Sequence, residues 1–256
     1  MPSSRGRHFC FMKAAMPDPS GAQQQELQRL QRDIRQAVAL HAAGNLAGAE
    51  KIYRSILASI PVQYDALHLL GVLRRQEGRL EEARELIEKA LKSYPESAEA
   101  HCNLGAVLAA LGRREEAVAS FDKSLALNAE DAEVHYNRGT VLAELGRHEE
   151  ALAGFDQALA LRPDYARALY NRGGALSELS RFEEALASYE RALALLPENV
   201  DLLNNRANAL AVLGRFEEAI AGYDGVLARD PKNTQARENR AQALAAVQAM
   251  QGGQSA

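Results

Sequence analysis

The four residues YNRG at 136–139 return as YNRG at 170–173, so the chain repeats itself at an interval of 34 residues. Part of this motif recurs as NRA at 205–207 and 239–241, at the same interval. Self-similarity at a fixed period of this length is typical of solenoids, in which each repeat packs only against its neighbours. The length of 256 residues therefore counts repeats rather than independent domains.

The period divides most of the chain into six windows without an insertion, and positions 1 to 34 below are places within a window. Position 20 is always alanine and position 28 is always leucine, which fixes the register. Position 8 is always glycine or alanine, whereas position 24 is a tyrosine, phenylalanine or isoleucine. Two helices cross closely only where side chains are small, and a bulky neighbour fills the remaining wedge. The windows are residues 30–63, 64–97, 98–131, 132–165, 166–199 and 200–233.

Each window reads as a helical hairpin. Apolar residues recur at helical spacing in two stretches, and the phrase GRxEEA, as at 146–151, separates them. Glycine ends the first helix, and the paired glutamates suit the positive end of the second helix. Proline near position 32 stops the second helix; Ala129 replaces it once, so we expect the hairpin before it to end less sharply. The predicted fold is all-α.

Composition excludes several classes of partner. The net charge is −4 with both signs mixed, which indicates neither nucleic-acid nor membrane binding. No apolar run approaches the ~18 residues of a membrane-spanning helix. The two cysteines, Cys10 and Cys102, are too few for a disulfide framework, which favours a reducing cytoplasm.

The ends of the chain differ from the windows. We expect residues 1–22 to be a disordered tail, with Met12 or Met16 as alternative starts. Residues 23–250 form the predicted solenoid, within which 234–250 match a first helix without a second and are expected to cap the sixth hairpin. Residues 251–256 are expected to fray.

The pattern of positions 8, 20, 24 and 32 over residues 30–250 resembles the tetratricopeptide repeat (TPR). The resemblance implies a right-handed α-solenoid superhelix of six TPR hairpins plus the C-terminal capping helix. It also implies that the first helix of each pair lines a concave groove, and that the protein is a docking scaffold. Position 7 departs from the family's usual leucine, since it is arginine in the later windows. These arginines either pack and reach a carboxylate, or contact an acidic partner.

Asparagine occupies position 6 in four successive windows and in the cap, and the resemblance places that position on the groove. An amide donates and accepts, so such a ladder can hold the backbone of an extended peptide. The alternative is that the amides satisfy local groups between helices. A similar asparagine ladder belongs to O-linked N-acetylglucosamine transferases, and the phrasing resembles bacterial arrays ahead of such domains. The candidate partner-binding residues are Asn103, Asn137, Asn171, Asn205, Asn239, Tyr136, Tyr170, Thr140, Asn204 and Asn208.

The residues give little support for metal binding or catalysis. His101 and His135 share position 4 of adjacent windows, but no third metal ligand is evident, and we expect them to pack in place of an aromatic residue. Cys102 has no assignable base, and position 5 has no lysine, so the clamp by which some relatives bind chaperone termini is absent. No phosphate-binding loop, HExxH or GxSxG occurs. We expect no cofactor, no metal and no catalysis.

The resulting hypothesis is a cytoplasmic, monomeric, non-catalytic scaffold that binds a peptide or protein segment in its concave groove. One alternative is the substrate-recognition portion of an O-GlcNAc-transferase-like glycosyltransferase whose catalytic domain lies elsewhere. A second alternative is self-association through the first window, which matches the pattern least well.

Overall fold

The structure is a computed structural model that describes residues 21–253. Within this range thirteen α-helices follow one another, joined by short turns. Their bounds are α1 Gly21–Ala42, α2 Leu46–Ser59, α3 Tyr64–Gln76, α4 Leu80–Ser93, α5 Ala98–Ala110, α6 Arg114–Leu127, α7 Ala132–Glu144, α8 His148–Leu161, α9 Ala166–Glu178, α10 Phe182–Leu195, α11 Val200–Val212, α12 Phe216–Arg229 and α13 Thr234–Gly253.

The helices pair as the windows predict. Each odd-numbered helix packs against the even-numbered helix that follows it, and α13 packs on α12. Six hairpins and a terminal helix are thus confirmed, as is the all-α fold class. The first helix starts at Gly21, while residues 1–20 of the expected tail lie outside the described range. The last helix runs to Gly253, and residues 254–256 also lie outside that range.

The GRxEEA turns share one backbone conformation. Their glycines adopt a positive φ of 74–76°, which L-residues with a side chain rarely adopt. The fifth turn has Ser180 at the same place, with a φ of 59°, and it is the one positive-φ non-glycine among the described residues. This serine therefore retains strain that its glycine counterparts avoid. The glycines are Gly78, Gly112, Gly146 and Gly214.

The arginine and the second glutamate of GRxEEA bind each other. Arg147 is the N-cap residue of α8, and its Nε and Nη2 donate to the two carboxylate oxygens of Glu150 at 2.6 and 2.7 Å. Sequence reasoning assigned both glutamates to the helix dipole alone, whereas one of them closes a bidentate ring with the turn. The same pair recurs as Arg79–Glu82, Arg113–Glu116, Arg181–Glu184 and Arg215–Glu218.

The expectation that Ala129 would soften the end of its hairpin is wrong. The helix before it, α6, ends at Leu127, which is position 30, just as α8 ends at Leu161. The next residue, Asn128, is extended with φ −146° and ψ 96°, and its N–H still donates to the Ser124 carbonyl at 2.9 Å. The end of the helix is therefore set by this extended residue and does not require proline.

The small residue at position 8 lies against the large residue at position 24. A Cβ added to Gly173 would lie 2.7 Å from Cδ1 and 2.8 Å from Cζ of Tyr189, and closer still to Cε1. Gly139 stands in the same relation to Phe155. The predicted rule of small against large is thus the contact that sets the distance between the two helices of a hairpin.

A buried arginine joins the first two hairpins. The side chain of Arg74 is 1 % exposed, and it forms ion pairs with Glu50 of α2 and with Glu77 at the end of its own helix. The hydrogen bonds from Arg74 and Arg54 lower the pKa of Glu50 to about 2. The pair therefore depends on a carboxylate that remains ionised well below neutral pH.

Among the residues that the structure describes, no helix combines the length and the apolar composition needed to cross a bilayer.

Candidate functional site

The odd-numbered helices line the inner side of the stack. Each of them approaches the next odd-numbered helix closely, as α7 approaches α9, whereas consecutive even-numbered helices lie farther apart within the described range. When the helices on one side of a stack lie closer together than those on the other side, the stack curves with the closer side inward. We call the surface formed by α3, α5, α7, α9, α11 and α13 on this side the inner face.

The asparagines of position 6 link one inner helix to the previous one. Nδ2 of Asn171 lies 3.3 Å from both the Tyr136 hydroxyl and Thr140 Oγ1, and Nδ2 of Asn205 lies 3.3 Å from the Tyr170 hydroxyl. The five side chains recur at the same place in successive inner helices, and we call them the asparagine ladder. Its members are Asn103, Asn137, Asn171, Asn205 and Asn239.

The two ends of the ladder use other partners. Nδ2 of Asn103 donates to Nε2 of His68 at 2.9 Å. Burial lowers the pKa of His68, which keeps the imidazole neutral and able to accept. Nδ2 of Asn239 donates to Oδ1 of Asn208 at 2.9 Å, and this same oxygen accepts from the Tyr223 hydroxyl at 2.8 Å. Asn208, a predicted contact residue, is therefore engaged inside the protein.

Asn137 is the exception in the ladder. The residues that face it from the previous inner helix at positions 5 and 9 are Cys102 and Ala106, which offer no strong hydrogen-bond partner. Its amide accordingly makes no hydrogen bond with the described residues, although it is half-buried. Asn137 thus has both halves of its amide available.

The middle of the ladder also retains capacity. The Oδ1 atoms of Asn171 and Asn205 accept no hydrogen bond from the described residues. Because the hydroxyls of Tyr136, Tyr170 and Thr140 both donate and accept, each amide can turn over and present its NH2 group instead. A main chain that displays both N–H and C=O groups suits such reversible amides.

The predicted tyrosines occupy the seams between inner helices. The Tyr136 ring packs on Tyr165 with centroids 4.9 Å apart, and the guanidinium of Arg167 lies 5.5 Å from the Tyr136 centroid. Asn204 holds the equivalent place in the sixth hairpin, and its Oδ1 is buried without a hydrogen-bond partner among the described residues. The predicted residues thus have unequal roles, and some stabilise the stack as the alternative interpretation expected.

Four predicted residues line one depression of about 350 Å³ on the inner face. It lies where α7, α9 and α11 adjoin, and we call it the central pocket. Sequence reasoning missed Glu144 and Glu178, which both stand at position 13, together with His148 and Gly174. The acidic residue shared by position 13 of two successive windows was the signal available. The pocket is lined by Thr140, Ala143, Glu144, His148, Tyr170, Asn171, Gly174, Ala175, Glu178 and Asn205.

The arginines of position 7 are paired within the protein. Nε of Arg138 donates to Asp122 at 2.6 Å, and Nε of Arg172 donates to Asp156 at 2.6 Å, in each case an acid at position 25 of the preceding hairpin. Of the two interpretations left open, the structure therefore favours the one in which the arginine stem packs and its guanidinium reaches a carboxylate. The same pairing recurs as Arg206–Glu190 and Arg240–Asp224.

The histidines and the cysteine have ordinary structural surroundings. Nε2 of His101 lies 3.0 Å from the Pro95 carbonyl, and Nε2 of His135 lies 3.0 Å from the Ala129 carbonyl. Burial raises the pKa of the Cys102 thiol to about 12, so the thiolate needed for nucleophilic chemistry is scarce at neutral pH.

Comparison with protein families identifies the kind of repeat. Two models, both described as tetratricopeptide repeat, match this chain: one at residues 130–198, and the other at 68–132, 170–234 and 204–252. The chain belongs to the tetratricopeptide repeat family. The predicted superhelix of TPR hairpins is thereby confirmed, and the coarse function is that of a protein-interaction scaffold. No curated protein matches this chain.

Solved TPR structures share the fold. YrrB, described as a TPR protein with an unusual peptide-binding site, is 22% identical with a TM-score of 0.67, over 73% of this chain and 96% of its own. PilW, described as a type IV pilus biogenesis factor, is 21% identical with a TM-score of 0.69, over 82% and 98%. PilF of Pseudomonas aeruginosa is 26% identical with a TM-score of 0.59, over 70% and 88%.

Proposed function

We propose that this TPR protein is a non-catalytic, cytoplasmic scaffold that binds an extended segment of another protein along its inner face. The observation that carries the proposal is the unused hydrogen-bonding capacity of three consecutive ladder residues, Asn137, Asn171 and Asn205. Bidentate or single amide contacts to a peptide backbone hold a chain in place with little dependence on its side chains. The description of YrrB as a peptide-binding TPR protein agrees with this proposal.

Repetition makes the three amides act together. The helices that carry them are neighbours in the stack, so the amides are spaced by about one helix-packing distance, roughly 10 Å. An extended chain advances ~3.3 Å per residue, so every third residue of a bound segment meets an amide. Each net hydrogen bond contributes ~0.5–1.5 kcal/mol, and three of them together correspond to about ten- to a thousandfold in affinity.

The experiment begins with affinity capture from native extract on the immobilised protein, followed by mass spectrometry and mapping of the bound segment with synthetic peptides. The affinity of that segment is then measured for a variant with Asn137, Asn171 and Asn205 replaced by alanine. We expect a loss of at least about tenfold with unchanged circular dichroism.

A matched control changes three exposed residues, each the last residue of an even-numbered helix. Leu127, Leu161 and Leu195 are 42–45 % exposed, and each stands at position 30 in consecutive hairpins. Replacing these leucines by alanine should leave the affinity unchanged. A loss in the leucine variant with full binding by the asparagine variant would place the partner at the even-numbered helices and refute the proposal. Capture of a sugar-nucleotide transferase as the partner would instead favour the glycosyltransferase alternative.

A further inference from the structure

The central pocket is negatively charged. Its lining contains the carboxylates of Glu144 and Glu178 and neither lysine nor arginine. Within the described residues Glu178 makes no ion pair, and Glu144 makes one, with Nε of Arg114 at 2.7 Å. Both side chains of that pair are more than 40 % exposed, so the pair contributes little in water. Arg114 uses only Oε2 of Glu144, and Oε1 can accept a hydrogen bond from a second cation. Charge complementarity therefore favours a cationic ligand group.

The chain itself shows how a cation fits beside a tyrosine of position 5. Over Tyr136, the guanidinium of Arg167 lies 5.5 Å from the ring centroid. Arg167 stands at position 2 of the next hairpin, and one hairpin further on that position is Asp201. Tyr170, the equivalent of Tyr136, therefore has no arginine of the described chain over its ring, and it lines the central pocket instead.

The wall of the pocket contains a polar atom that the fold does not satisfy. Nδ1 of His148 is buried and has no hydrogen-bond partner among the described residues. Buried polar atoms without partners are uncommon in native structures. The volume of about 350 Å³ is at the small end of ligand pockets, which span ~300–1,000 Å³, and suits a single long side chain.

We propose that the central pocket receives an arginine side chain of the segment bound to the inner face; this inference rests on the proposed function. The guanidinium lies against the Tyr170 ring and donates to Glu144 and Glu178, while Asn171 and Asn205 hold the adjacent main chain. Arginine suits this pocket better than lysine because its planar guanidinium stacks on aromatic rings and carries five donors. The ladder supplies general affinity, and the pocket selects which segments bind.

The test uses a phage-displayed library of random twelve-residue peptides, selected on the immobilised full chain. We expect the selected peptides to share an arginine at one aligned position. Replacing that arginine by norleucine in a synthetic peptide should weaken binding about tenfold, and the E144Q/E178Q variant should show the same loss with the original peptide. The two losses should not add, because they remove the same interaction.

Glu183 and Glu217 provide a matched control with the same change of charge. Both are exposed residues of even-numbered helices, and neither makes an ion pair within the described range. The E183Q/E217Q variant should keep the affinity and the arginine preference. Peptides that depend on Asn137, Asn171 and Asn205 but show no preference for arginine would overturn this inference and leave the proposed function intact. A library without any asparagine-dependent binder would contradict both.

Discussion

Two adjacent glycines of α9 should respond to alanine in opposite directions. A Cβ on Gly173 would lie 2.7–2.8 Å from Tyr189 ring atoms, whereas unstrained carbon contacts are ~3.5–4.0 Å, so the ring has to move by about 1 Å. Tyr189 is 2 % exposed, so its ring is enclosed by other residues. A Cβ on Gly174 meets no atom within 4 Å.

The expected magnitudes follow from these contacts. Overpacking costs ~1–3 kcal/mol, while alanine gains ~0.5–1 kcal/mol over glycine inside a helix. Gly173→Ala should therefore lose about 0.5–2 kcal/mol of unfolding free energy and Gly174→Ala should gain about 0.5–1 kcal/mol. Urea unfolding followed by circular dichroism measures both, and hydrogen exchange in α9 and α10 localises the effect if the repeats unfold separately. Equal stability of the two variants, or a more stable Gly173→Ala, would refute the role of position 8 in setting the helix distance.

Two further predictions concern stability. Ser180→Gly should stabilise the protein by about 0.5–1 kcal/mol, because relief of the positive-φ strain exceeds the added freedom of the unfolded chain. The reciprocal Gly146→Ser should destabilise it, and thermal unfolding measures both changes. A lower melting temperature for Ser180→Gly together with a higher one for Gly146→Ser would show that the fifth turn is unstrained. The pKa of Glu50 is lowered from 4.5 to about 2, so its contribution is present above pH ~4.5 and is lost as the pH falls toward 2. Glu50→Gln should reduce the loss of unfolding free energy between pH 6 and pH 2.5 by roughly 1–3 kcal/mol, and an identical pH dependence in both proteins would contradict the pairing with Arg74.

The fold followed from the sequence because a repeated contact leaves a repeated pattern. Gly139 and Phe155 occupy positions 8 and 24, and equivalent residues recur in the other hairpins. The same contact therefore produces the same pair of residue types several times in the sequence. The turns were predictable for the same reason. The exception, Ala129, shows that proline accompanies the end of a helix without determining it, because Asn128 becomes extended regardless.

The contacts between hairpins, including those of the inner face, were less predictable from the sequence. The pairing of Arg138 with Asp122 depends on how two hairpins stack, and neither residue alone distinguishes an internal ion pair from a contact with a partner. The lack of a hydrogen bond from Asn137 to the described residues has a similar origin, since it results from Cys102 and Ala106 in the previous inner helix, α5. The spacing of residues within one window does not show which residues of the neighbouring hairpin they contact. The central pocket escaped prediction because three helices form it together.

The most direct test of the account is a crystal structure of the protein with the segment identified by affinity capture. We expect an extended main chain on the inner face, within hydrogen-bonding distance of the amides of Asn137, Asn171 and Asn205. A segment that lies on the even-numbered helices, with these three amides in contact with water alone, would contradict it.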